Sequence, residues 1–177
     1  DSTPTASLAE QEARILEGRT RMEAFKQQTG LPYAPVMVFP FDISPGPTLA
    51  LLKAYNFQAP INSTDVPLDS KRSQLPLAHM YPAELAYESF PVIKRYHPDQ
   101  IAYPFQLFVD RPLFIYDHKP LFDNSVTGFN GYADAINALA GDVVWTGLDD
   151  IMKHLYLEKT EPDGSVDVMM FGDDVVI

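Results

Sequence analysis

The sequence predicts an α/β domain with parallel strands, followed by a short antiparallel β segment. Three observations carry this. A strand-like run, a helical pattern and a second strand-like run follow one another between residues 36 and 62, the order of a βαβ unit, whose two strands must pair in parallel. Further apolar runs near 113–117 and 143–145 alternate with helical patterns near 132–140 and 147–156. From residue 161 on, the period changes to the two-residue alternation of a half-buried strand.

The first element is a helix over about residues 8–28. Ser7-Leu8-Ala9-Glu10 reads as a capping box, Leu8, Ile15 and Met22 recur every seven residues, Leu16 and Phe25 widen the stripe, and Gly30 ends it. Pro35 then opens the continuous run Val36-Met37-Val38-Phe39, expected as a strand over 36–41 buried on both faces. A turn at Asp42–Gly46 leads into a helix over 47–55, with Pro47 at its first position and Leu49, Leu52 and Tyr55 on its inner face. The second strand is expected over 58–62.

Residues 66–104 break the rhythm, with prolines at 67, 76, 82, 91, 98 and 104. Prolines at that frequency argue against long helices and central strands, so an irregular segment is expected, with one short helical pattern from Ala83 to Phe90. Regular structure resumes with Phe105–Val109 and with the strand-like Leu113–Tyr116. In the helix near 132–140, Ala133, Ile136 and Leu139 should point inward. Val143-Val144-Trp145 reads as a short strand, and Thr146 as the cap of the next helix, with Asp149 in the capping-box position and Leu148, Ile151 and Leu155 inside. Glu161-Pro162-Asp163-Gly164 fits a type I turn leading into the alternating Val166–Met170. The chain thus divides into an α/β body over 1–160 and the start of a β-rich region over 161–177. An apolar stretch at Val175–Ile177, with a first residue other than Met, marks the chain as an expected fragment.

Composition narrows the function. Twenty-four acidic against 13 basic residues give a net charge of −11, the wrong sign for a phosphate backbone, so no nucleic-acid partner is expected. No apolar run reaches the length of a membrane span. The chain has no cysteine, which removes disulfide and thiol chemistry and suits an exported bacterial protein, extracellular or periplasmic.

Candidate chemistry gathers where apolar runs end, because the carboxyl ends of parallel strands face the ligand crevice in α/β folds. His118 follows the run Leu113–Tyr116, and an imidazole there suits a general acid or base. Asp42 and Asp65 stand in the same relation to the first two strands, with turn-making as their structural alternative. Phe41 and Tyr116 are aromatic surfaces on which a sugar ring can stack. His154, four residues after Asp150, reads as a surface ion pair, and His97 before Pro98 as a loop residue. His79 with Glu84 or Glu88 is a weak metal candidate. No two histidines have the helical zinc spacing, so no metal ligands are assigned within this chain.

The order Val36-Met37-Val38-Phe39-Pro40-Phe41, then Pro47-Thr48-Leu49-Ala50-Leu51-Leu52-Lys53-Ala54-Tyr55-Asn56-Phe57, resembles the later part of the NodB-type polysaccharide deacetylase barrel. Leu113 to His118 resembles that family's strand delivering a histidine, and Val143 to Leu155 its closing strand and helix. The resemblance covers about residues 31–157 and rests on the order of elements. It implies a partial (β/α) barrel, incomplete within this chain. It also implies hydrolysis of N-acetyl groups on an amino-sugar polymer, with His118 as the acid that protonates the leaving amine and Asp65 as the site aspartate. Asp42, Phe41 and Tyr116 would then contact the substrate.

The family's early Thr-Phe-Asp-Asp-Gly motif and its His-x-x-x-His pair are absent, and Phe39-Pro40-Phe41-Asp42 stands where the proline loop usually has an arginine. The resemblance therefore implies that the divalent metal, zinc in kind, is held by the remainder of the polypeptide, and that this chain alone binds no cofactor and is inactive. Two other readings stand beside it. One is a carbohydrate-binding or assembly module without chemistry. The other is a glycoside hydrolase on a related barrel, with Asp42 and Asp65 as the paired carboxylates.

Overall fold

The computed structural model describes residues 6–39, 45–63, 80–86, 90–97, 103–118 and 127–177, with the side chains of residues 84–86 outside that description. The architecture is α/β. Four strands, β1 (Val36–Val38), β2 (Ala59–Asn62), β4 (Phe90–Tyr96) and β5 (Phe114–Ile115), run parallel and curl into a half-barrel. β1 pairs with β2 through Val36↔Ala59 to Val38↔Ile61, and β2 pairs with β4 through Ile61↔Ile93 and Asn62↔Lys94. The far edge of β4 is shared. Its first half pairs antiparallel with β3 (Glu84–Ala86), and its last two residues pair with β5 through Arg95↔Phe114 and Tyr96↔Ile115.

The first βαβ unit is the one the sequence predicts. α1 (Leu8–Thr29) begins at the Ser7/Glu10 capping box, with both reciprocal hydrogen bonds formed, and ends at Gly30 in the left-handed conformation (φ 73°). The Ser7 hydroxyl and backbone N–H both bond the Glu10 carboxylate and hold its pKa below the usual value. α2 (Gly46–Ala54) buries Leu49 and Leu52, and its left-handed exit at Asn56 (φ 57°) turns the chain into β2.

The strands sort their side chains by the two-residue period. On one face Ile15, Leu49, Leu52, Phe90 and Val92 form a cluster under α1 and α2. Tyr96, Tyr103 and Ile136 continue that layer under α3 (Tyr103–Phe108) and α4 (Thr127–Asn137). On the other face Ala59, Ile61, Ile93 and Phe114 pack with Ala83, Met152, Leu155 and Phe171.

α5 (Leu148–Lys153) supplies Met152, and the hairpin of β6 (Tyr156–Thr160) and β7 (Val166–Met170) follows directly. β6 and β7 pair antiparallel from Tyr156↔Met170 to Thr160↔Val166. The turn closes with Glu161 and Ser165 bonded (2.8 Å) and Gly164 at φ 85°, where a side chain would be strained. Phe171 anchors the hairpin. It is buried, its N–H donates to the Leu155 carbonyl (2.8 Å), and its ring lies 5.6 Å from that of Tyr81.

Several expectations are corrected. The segment 66–104 contains two strands, β3 and β4, and β4 is central to the sheet. Residues 84–86 form a strand where the sequence pattern predicts a short helix. The regular structure expected from Phe105 is a helix, α3. No strand forms at 143–145: Val144 and Trp145 are exposed, and the indole N–H instead donates to the Asn137 side chain (2.7 Å). Leu139 is exposed, beyond the end of α4. The cap of α5 is Gly147, with no side-chain cap, and the Thr146 hydroxyl donates to Asp150 (2.7 Å). Of the stripe on α1 only Ile15 is buried, because α2 and the sheet cover just the middle of the helix; Leu8, Leu16, Met22 and Phe25 are exposed. Val175–Ile177 form no strand, although the Val176 N–H donates to the Lys153 carbonyl (2.8 Å).

Candidate functional site

The four parallel strands bring their carboxyl ends to one side of the half-barrel. Two of them carry a histidine there, four residues after a buried apolar residue. β4 presents Ile93, Arg95 and His97 on one face, and β5 with its extension presents Phe114, Tyr116 and His118. Along each strand the first residue is apolar and belongs to the same buried cluster, and the chemistry follows where the core runs out. The Arg95↔Phe114 register sets Tyr116 beyond Arg95, and the Tyr116 N–H donates to the Tyr96 carbonyl (3.0 Å), carrying the pairing past the end of β5.

Tyr116 is the centre of the group. The Arg95 guanidinium carbon lies 4.2 Å from the ring centroid, inside the range of a cation–π contact. The imidazoles of His97 and His118 approach the same ring edge-on, at 5.8 and 6.1 Å between centroids. Tyr116 is half-buried and His118 is exposed. An aromatic face ringed by one permanent cation and two imidazoles can stack a flat or pyranose ring, bind an anion and exchange a proton.

Asp117 organises the edge of this group. Its Oδ1 accepts the backbone N–H of His118 (2.6 Å) and faces His97 Nε2 at 3.7 Å. That second distance is an ion-pair contact, longer than a hydrogen bond. The Asp117 side chain is only 14% exposed.

The sequence expectations divide. His118 and Tyr116 lie together at the carboxyl end of β5. Asp42, Phe41 and Asp65 lie outside the described residues, as do His79 and Glu88. His97, read from sequence as a loop residue, directly follows β4 and joins the site. No sequence motif marks Arg95 and Asp117; the shared spacing of Ile93-x-Arg95-x-His97 and Phe114-x-Tyr116-x-His118 becomes informative only once β4 is known to be a strand. His154 makes no ion pair with Asp150. Its Nδ1 contacts the Asp150 carbonyl (2.6 Å), since the Asp150 side chain is turned to Thr146.

For the divalent metal that the resemblance implies, the described donors do not suffice. His97 and Asp117 are two facing ligands, and a catalytic zinc takes three from the protein. No group of three or more His, Asp or Glu converges among the described residues. No step below is routed through a metal.

A separate cleft of about 170 Å³ lies at the opposite, amino end of β2 and β4, lined in part by Lys53, Gln58, Lys153 and Asp173. Its cations are matched by carboxylates. Lys153 bonds Asp149 (2.5 Å), and Lys53 stands 3.9 Å from Asp173. The hydrogen bond from Lys153, then one from Gln58, holds the Asp149 carboxyl below its usual pKa. These contacts tie α5 to the start of β2, a structural role.

No described helix is long and apolar enough to cross a membrane. Compared with protein-family models, with curated proteins and with solved structures, the chain has no match in any of the three.

Proposed function

We propose that this chain is the carboxyl-terminal part of a polysaccharide deacetylase, with its saccharide site at the carboxyl ends of β4 and β5. The observation that carries the proposal is the grouping of Tyr116 with His97 and His118 at that end of the half-barrel. The ends of parallel strands are where α/β folds bind ligands, and a half-buried tyrosine offers a sugar ring an apolar face with a polar rim. The resemblance of Leu113–His118 to the histidine-bearing strand of NodB-type deacetylases supplies the reaction class.

In this reading Tyr116 stacks on the sugar. The exposed imidazole of His118 protonates the amine as the C–N bond of the tetrahedral intermediate breaks. Asp117, bonded to the His118 backbone N–H, fixes the turn from which that imidazole projects. The metal that would polarise the acetyl carbonyl belongs, in this proposal, to the remainder of the polypeptide. The polymer places the protein outside the cytoplasm, in the extracellular or periplasmic space.

One experiment separates this reading from its rivals. The full-length protein is incubated with an N-acetylglucosamine oligomer and a divalent metal, and both products are assayed. Release of acetate is expected. Release of new reducing ends without acetate would select glycosidic cleavage, for which Asp42 and Asp65 are the candidate carboxylates. Binding without either product would select the non-catalytic module.

A further inference from the structure

We infer that the Arg95–Tyr116 stack receives a carboxylate, so that the saccharide bound here carries uronic acid residues. The inference rests on the proposed saccharide site and deepens it by naming the substrate class.

The first argument is charge. Among the described residues Arg95 has no counter-charge. In a chain with 24 acidic and 13 basic residues, cations readily find carboxylates, as Arg21 does with Glu17, Lys153 with Asp149 and Lys159 with Glu161. The guanidinium of Arg95 meets no carboxylate among the described residues, and its Nε–H is buried with no hydrogen-bond acceptor. Asp117 is turned elsewhere, its Oδ1 being held by the His118 N–H and facing His97. A part-buried guanidinium that meets no anion among the described residues suits one from outside.

The second argument is geometry. The Arg95 guanidinium carbon lies 4.2 Å from the Tyr116 ring centroid, a contact that holds the cation at the ring. A guanidinium is the cation best matched to a carboxylate, which accepts two parallel hydrogen bonds from it. Tyr116, which holds Arg95, is also the surface proposed to bind the sugar, so a carboxylate on that sugar would lie near the guanidinium.

The third argument is selectivity. The net charge of −11 repels polyanions at long range, so affinity for an acidic saccharide depends on the local contact with Arg95 outweighing that repulsion.

The test titrates the full chain with two oligosaccharides of equal length by calorimetry. One is N-acetylglucosamine throughout, and the other alternates N-acetylglucosamine with glucuronate. The alternating oligomer should bind at least about tenfold more tightly, the return of one charge-assisted contact. Arg95→Gln should bring the two affinities together, lowering that for the alternating oligomer by about tenfold more than that for the neutral one. Equal affinities in the unmutated chain, or an undiminished preference in Arg95→Gln, would overturn the inference and leave the saccharide site standing. Binding of neither oligomer would overturn the saccharide site itself, and the inference with it. Circular dichroism checks that the variant folds, and if it does not, the ratio measured on the unmutated chain decides alone.

Discussion

Replacing His118 with alanine in the full-length protein should lower acetate release by about 10²–10⁴-fold, or about 3–5 kcal/mol of barrier, and leave the melting temperature nearly unchanged. The two halves of this expectation have separate grounds. The kinetic loss follows from the proposed role of the imidazole as proton donor to the leaving amine. The unchanged stability follows from its surroundings. His118 is exposed, and the hydrogen bond that anchors this turn runs from its backbone N–H to Asp117, which alanine retains. Surface changes of this kind stay within about 0.5 kcal/mol. A histidine with a purely structural part would give the reverse pattern, a lower melting temperature with turnover intact. Steady-state rates and a thermal melt on one variant distinguish them.

The second large effect concerns the hairpin. Phe171→Ala should destabilise the fold by about 3–5 kcal/mol, the range for a fully buried phenylalanine. Phe171 is 1% exposed and packs in one cluster with Ile61, Ile93, Phe114 and Leu155. It follows β7 directly, so its ring joins the hairpin to the same face of the sheet that carries Arg95, Tyr116 and His118 further along. Removing it should lower the urea midpoint of the whole domain in a single transition. A separate early transition, with most of the domain unaffected, would mean that the segment after residue 160 is an appendage.

The sequence was most legible where local signals agree. α1 has both a capping box and a terminal glycine, α2 has proline near its start and two buried leucines, and β2 follows in a run that is buried throughout. Helix and turn signals point the same way there; β2, which contains Pro60, has little strand propensity of its own, and its parallel pairing with β1 follows from the βαβ order. The hairpin was equally open, because Pro162, Asp163 and Gly164 dictate the turn between alternating segments. β4 was hidden by its prolines. Pro91 is its second residue, and proline argues against a central strand. It is tolerated because the β2 partners of β4 begin only at Ile93, so the missing N–H of Pro91 falls before that ladder starts.

Missing β4 concealed half of the site. Without a strand over 90–96, His97 reads as one more residue in a proline-rich loop, and Arg95 as a solvated charge. With it, the two-residue period aligns Arg95 and His97 beside Tyr116 and His118. The opposite error occurred at 143–145. Three apolar residues satisfy a strand pattern equally well when they have no neighbour to pair with, and Val144 ends 80% exposed. Short runs carry no information about partners, and tertiary context decided both cases.

The central claim is that the carboxyl ends of β4 and β5 form one saccharide site around Tyr116. Histidine-selective NMR of the full chain, titrated with an N-acetylated amino-sugar oligomer, tests it most directly. His154, held against the Asp150 carbonyl on α5, is the internal control. The account predicts that the ring resonances of His97 and His118 shift together along one saturable curve while those of His154 stay fixed. If His97 and His118 do not move, or if His154 moves with them to the same extent, the site has been assigned to the wrong end of the sheet.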